Sequence, residues 1–368
     1  MSSSSICDKL ERFSPVSAAS SSIALCDSNV LMSLPFFSLS KTPRVKPIDY
    51  MSRRDMVQVE AANELGFATI WDADILIWAT SQLVHAQNHQ LPASRLIQTS
   101  AYDILSFLGW GDSKRSYERL RSGLRRLKAT RVTTSIGPNR LDGIYRFSWV
   151  DDWREARNHA GRSEGLEILL SEWFFQVACR PQSCLTIDWA YLGLRGGIER
   201  WLFRLVRKHG GRQEQGWLFE VNHLHQKSGS LMSLATFTVD LRDIVERVSI
   251  PGYELSLTRE IAGREMLRFK KTACGQAVNP SVLSVGARPV LSGNRLPCYH
   301  SSKVGVTRSN ITNPGSLKID SKIESKIIGE HLVNNTSSDM SEERPDPQAF
   351  GLDIGVSASE NQSTLSTP

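Results

Sequence analysis

Asn222-His223-Leu224-His225 sets two imidazoles two residues apart, a spacing that turns both to one face of a β-strand. Such a pair can hold a divalent metal beside a tyrosine nucleophile, as in DNA-nicking enzymes, and Tyr191 and Tyr253 are the candidate nucleophiles. On a helix the same histidines stand about 200° apart. The stretch runs into Ser228-Gly229-Ser230, so a helix before a tight turn is the better reading and the histidines are expected to be structural. Other chemistries lack their signatures. There is no G-x-x-x-x-G-K-[ST] phosphate loop, Gly196-Gly197 lacks the G-x-G-x-x-G spacing, and no G-x-S-x-G elbow is present. No pair of acids stands out for general acid–base work. The expectation is a chain with no catalytic residue, no metal and no cofactor.

The cations are more informative. Between Lys114 and Arg131 lie eight Lys or Arg and one acid, Glu118. At helical spacing Tyr117, Leu120, Leu124 and Leu127 share an apolar arc, and Arg115, Arg119, Ser122 and Arg126 line the opposite one. A second basic stretch, residues 196–213, is bracketed by glycine pairs. Ile198, Trp201, Leu202 and Leu205 share one face, and Arg200, Arg204 and Arg207 share the other, with Lys208, His209 and Arg212 beyond. A third stretch, Phe237–Val248, turns Phe237, Leu241, Ile244, Val245 and Val248 inward and leaves Thr238, Arg242 and Arg247 available. Cations on a rigid face bind phosphate; a solvated arginine face is the plain alternative.

The 368 residues have room for two domains and tails, and a net charge of +6 with a pI near 9.0 leans towards an anionic partner. Six cysteines without a C-x-x-C pair fit a reduced, cytoplasmic setting. No apolar run approaches the length of a membrane span. The stretch ending at Cys26 is too short, and Leu25 too large, for a lipoprotein signal.

In order, residues 1–33 are Ser-rich and read as a disordered extension, with Met32 a credible alternative start. Helices are expected over Trp71–Ala86, Ser100–Leu108 and from Asp112 or Ser113 to Ala129, followed by a hairpin with arms Thr130–Ser135 and Ile144–Val150. Val57–Ala61 reads as a weak strand and Trp153–Glu164 as a polar connector. The order then recurs: a short helix over Leu169–Ala178, the basic helix, a helix and turn near His223, the helix at Phe237, and a hairpin with arms Tyr253–Thr258 and Glu265–Lys270. This predicts a mainly α fold with small β-hairpins (α+β), tandem winged helix-turn-helix domains with disordered tails. The first domain spans 34–155 and the second 165–271, with 272–368 a disordered tail. The nine tryptophans read as core anchors.

Four stretches, GFATIWDADILIWATSQL (66–83), LRGGIERWLFRLVRKHGGRQ (194–213), HLHQKSGS (223–230) and DLRDIVER with IPGYEL (240–255), resemble the replication initiator protein A family. The resemblance runs from about Leu34 to Lys271. It implies a plasmid-encoded protein that binds origin DNA and starts replication. Iteron-plasmid initiators look similar in architecture, which implies homodimers that repress their own gene, monomers that bind the origin, and recruitment of the host initiator and replicative helicase. On that analogy the second domain reads the major groove and the first supplies backbone contacts and dimerisation. The motifs place Arg200, Arg204, Arg207, Lys208 and Arg212 on a basic surface and Lys227, Ser228 and Ser230 at a helix turn. A transcriptional repressor without a replication role, or a metal-dependent nickase, are the alternatives.

Overall fold

A computed structural model describes residues 10–17, 23–138, 143–157, 163–180, 183–210, 216–260 and 263–272. All lie in the first of the two units into which the chain divides, Met1–Arg288.

The N-terminal stretch contributes four strands: β1 (Arg12–Phe13), β2 (Cys26–Ser28), β3 (Ile48–Met51) and β4 (Met56–Ala61). Helix α1 (Ala73–Asn88) follows; it is apolar on most sides and is buried from Ala73 through Leu83. Strand β5 (Leu96–Thr99) leads to α2 (Ala101–Phe107) and α3 (Lys114–Ala129). The side chains of Ser100 and Ser113 cap these two helices by accepting the amides of Asp103 and Ser116. Next come β6 (Thr130–Thr134), β7 (Tyr145–Phe147), β8 (Val150–Arg157) and β9 (Ser163–Leu170). Strands β5, β9 and β8 form a sheet in that order, with β1 added in parallel beside β5. Strands β3, β4, β6 and β7 form another.

After α4 (Glu172–Ala178) and β10 (Cys184–Thr186), the element order from α1 to β9 recurs without counterparts of β6 and β7. Helix α5 (Gly197–Gly210) is followed by β11 (Trp217–Glu220), α6 (Val221–Ser228), α7 (Leu234–Glu246), β12 (Tyr253–Arg259) and β13 (Glu265–Lys271). The sheet order β11-β13-β12 matches β5-β9-β8 strand for strand. Gly229, at φ 63°, closes α6, and a Cβ there would lie 2.7 Å from Pro35 Cβ, so the turn into α7 needs glycine twice over.

Three expectations are corrected. Residues 10–17 and 23–33 are not a disordered extension: β1 pairs with β5, β2 pairs with β10, and Leu25 and Met32 are fully buried. Their apolar residues are scattered among serines, so no period announces them. The hairpin of the first part runs Val150↔Leu170 to Arg157↔Ser163, through the stretch read as a connector, while the expected arms β6 and β7 do pair but belong to the sheet with β3 and β4. The chain is therefore mixed α and β rather than mainly α. The tail expected to be disordered lies outside the described residues from 273 on.

The core is rich in aromatic rings. Phe147 stacks on Trp173 at 4.1 Å and Phe37 on Trp149 at 5.0 Å, while Trp78, Trp149, Trp173 and Trp201 are buried. Trp189 and Trp217, by contrast, remain exposed.

Candidate nucleic-acid interface

The cations divide into those the fold turns inward and those it leaves in water. Helix α5 lies in the core, and two of its arginines go with it. Arg200 Nη1 is 2.7 Å from Asp74 Oδ1 on α1, with the two side chains 2% and 0% exposed. Its other donors reach the carbonyls of Leu194 and Leu192, and its guanidinium lies over the Tyr191 ring at 4.9 Å. One turn on, Arg204 grips Asp27 of β2 with Nε and Nη2 at 2.7 and 3.2 Å, both side chains 2% exposed. Charges so far from water must be paired. Burial still pushes the Asp74 carboxyl up to about 6, against the pull of Arg200. The basic surface expected at Arg200 and Arg204 is thus corrected to a buried ionic seam, whose partners lie over a hundred residues away in sequence.

The rest of that stretch is also engaged. Arg207 Nε donates to the Thr186 carbonyl at 2.8 Å, and Lys208 Nζ donates to Ser33 Oγ at 2.7 Å. Burial draws the Lys208 amine down to about 8 and lowers that of Lys227 as well. Ser228 Oγ donates to the His225 carbonyl and accepts the Ser230 amide, while Ser230 Oγ accepts the Met232 amide, so both serines build the turn. Arg212 lies outside the described residues.

Helix α3 presents the cationic face, rotated from the expected one. Its buried side is Ser116, Leu120, Gly123, Leu124 and Leu127. Gly123 lets α3 press on α1: a Cβ there would stand 2.9 Å from Ile75 Cδ1 and 3.1 Å from Asp72 Oδ1. Arg126 is consequently drawn in and holds Asp72 in a bidentate pair at 2.8 and 2.7 Å. Arg119 lies over the Trp110 ring at 3.5 Å, with a nitrogen 4.0 Å from Asp74, and burial lowers its pKa. Arg115 stays exposed as expected. Lys114, Arg125 and Lys128, not singled out one by one from sequence, are exposed too. Lys128 pairs with Asp152 and Arg121 with Glu155, whereas Lys114, Arg115 and Arg125 make no salt bridge with a described residue. A glycine on the apolar side of the pattern was the available sign of this rotation.

On α7, Arg242 pairs with Glu265 of β13, and Arg247 is exposed at 3.7 Å from Glu199. The nickase constellation does not assemble. His223 and His225 lie on α6 with separate partners, the Phe219 ring and the Met232 carbonyl, while Tyr191 and Tyr253 are buried. No group of His, Cys, Asp or Glu among the described residues could hold a metal, and no described helix is long and apolar enough to cross a membrane.

Residues 26–255, more than half of the chain, match the replication initiator protein A family. The chain belongs to that family. A relative from Wigglesworthia glossinidia brevipalpis, provisionally named a replication protein, is 30% identical over 239 residues, covering 62% of this chain and 83% of that protein. The crystal structure of domains 2 and 3 of RctB aligns with a TM-score of 0.48 at 15% identity, covering 66% of this chain and 98% of that one. A second structure of the same RctB domains gives 0.45 at 14% identity, covering 67% and 97%. Membership of the family assigns the chain, at a coarse level, to replication initiation.

Proposed function

We propose that this initiator binds the origin of its replicon sequence-specifically, through two winged-helix domains, and acts by binding rather than by catalysis. The element order supports the domain reading: helix, strand and two helices occur twice, each time with a later hairpin in the same sheet order, β6 and β7 being inserted before the hairpin of the first part. The observation that carries DNA binding is the outer face of α3, the third helix of its domain, where Lys114, Arg115 and Arg125 stand exposed with no acidic partner among the described residues. A third helix so placed lies in the major groove, and the hairpin β8–β9 beside it reaches the flanking backbone. This gives the first domain a larger share of the contacts than the analogy with iteron initiators implies.

Recruitment of the host initiator and helicase, exchange between dimer and monomer, and repression of its own gene belong to the same proposal, as does action in the cytoplasm. The test is a plasmid carrying this gene and its flanking DNA as its sole replicon, with wild-type or Arg115→Ala/Arg125→Ala protein. Replication that is lost in the double variant, with the protein level unchanged, is expected. Flanking DNA that is bound and silenced but never replicates would make the protein a repressor instead.

A further inference from the structure

The third helices of the two domains hold equivalent places but present different chemistry. Base edges are met by the first turns of such a helix. In α7 these turns expose Leu234 (40%), Ala235, Thr236 and Val239 (53%), with no Lys or Arg among them. The preceding turn adds Leu231 and Met232, also exposed. Of the cations further along, Arg242 is taken up by Glu265 and Arg247, at the C-terminal end, stands 3.7 Å from Glu199, with Asp243 and Glu246 exposed beside them. These first turns offer phosphate no cation, and they lack the Arg or Lys that reads guanine.

An apolar side chain has one specific partner at a major-groove base edge, the C5-methyl of thymine. Resting on the initiator reading above, we propose that α7 reads thymine methyls. Leu234, Val239 and the methyls of Ala235 and Thr236 pack against a T-rich stretch of the origin site, beside the stretch that α3 holds by charge. The surroundings favour DNA over a protein partner. The adjoining hairpin β12–β13 carries exposed Arg259, Arg264, Lys270 and Lys271, and the ion pairs of Arg264 with Glu260 and Lys270 with Glu254 are at the surface. Surface pairs of this kind are weak, so phosphates can displace the acids.

The test uses the full chain and the duplex from around its gene that it binds most tightly, with thymines replaced by uracil one at a time. Uracil removes only the methyl. Affinity that falls by about fourfold for each methyl lost within one patch of the site, and that no longer responds to uracil there in Val239→Ala or Leu234→Ala protein, is expected. Both side chains are exposed, so truncation leaves the fold intact, which thermal melting verifies. Specific binding that is indifferent to uracil at every position overturns the thymine proposal and leaves the initiator reading standing. Absence of specific binding to any duplex overturns both.

Discussion

Removing Asp27 should cost more stability than any surface acid, because it strands Arg204 in the core. The pair is bidentate, at 2.7 and 3.2 Å, and both side chains are 2% exposed. In Asp27→Ala the guanidinium keeps its charge and loses its counter-ion where water cannot replace it, a loss of about 3–5 kcal/mol. For a folded part of this size that corresponds to a fall in Tm of about 6–20 °C. Asp152→Ala breaks the Lys128 pair, whose side chains are 49% and 45% exposed, and should cost below about 1 kcal/mol. Asp27→Leu/Arg204→Met replaces both charges with apolar groups and should recover most of the loss. The assay is urea unfolding at pH 7 followed by tryptophan fluorescence. If Asp27→Ala lies within about 1 kcal/mol of wild type, the ionic seam is not what holds α5 to the N-terminal stretch. A chain begun at Met32 lacks Asp27 and all of β2, and should be at least as unstable.

Other consequences are as direct. Removing Arg115 or Arg125 should lower the slope of log affinity against log salt by about one each, with the unfolding midpoint unchanged; fluorescence anisotropy reads the slope. Burial, with Lys208 and Lys227 nearby, draws the His209 imidazole down from 6.5 to about 4. The unfolded chain thus takes up the proton first, and the stability His209 contributes above pH 6.5 is lost as pH falls towards 4, amounting to about 2 kcal/mol by pH 5. Asp74, raised to about 6, has the opposite sign in the window from 3.8 to 6. Comparing wild type with His209→Gln across pH 7 to 5 isolates the histidine, and parallel curves would refute its part. Val248, a β-branched residue at φ 49° just past α7, sits where glycine is at ease. Val248→Gly should therefore raise stability by about 1 kcal/mol in thermal melts.

Much of the fold is legible in the sequence where one face of an element meets a core and the other meets water. Helices α1, α2, α3 and α7 follow their apolar spacing, and Ser113 caps α3 within the expected pair of positions. Strands β12 and β13 match the expected arms within a residue. Legibility fails where a residue's partner is distant in the chain. The arginines of α5 have the pattern of a solvated face, and only Asp74 and Asp27, on α1 and β2, reveal that this face is a second buried one. Arg126 is taken from the expected cationic arc by Asp72 in the same way. Strands β1 and β2 are too short to show a period, and each becomes a strand only by pairing with a segment far along the chain.

Sequence-specific origin binding is measured by titrating the full chain against duplexes tiling the DNA around its gene, by anisotropy at several salt concentrations. One short region is expected to bind far more tightly than the rest, with a slope of several counterions that falls by about two in Arg115→Ala/Arg125→Ala. Equal, weak binding to every duplex, or a tight site whose salt slope ignores that substitution, would contradict this expectation.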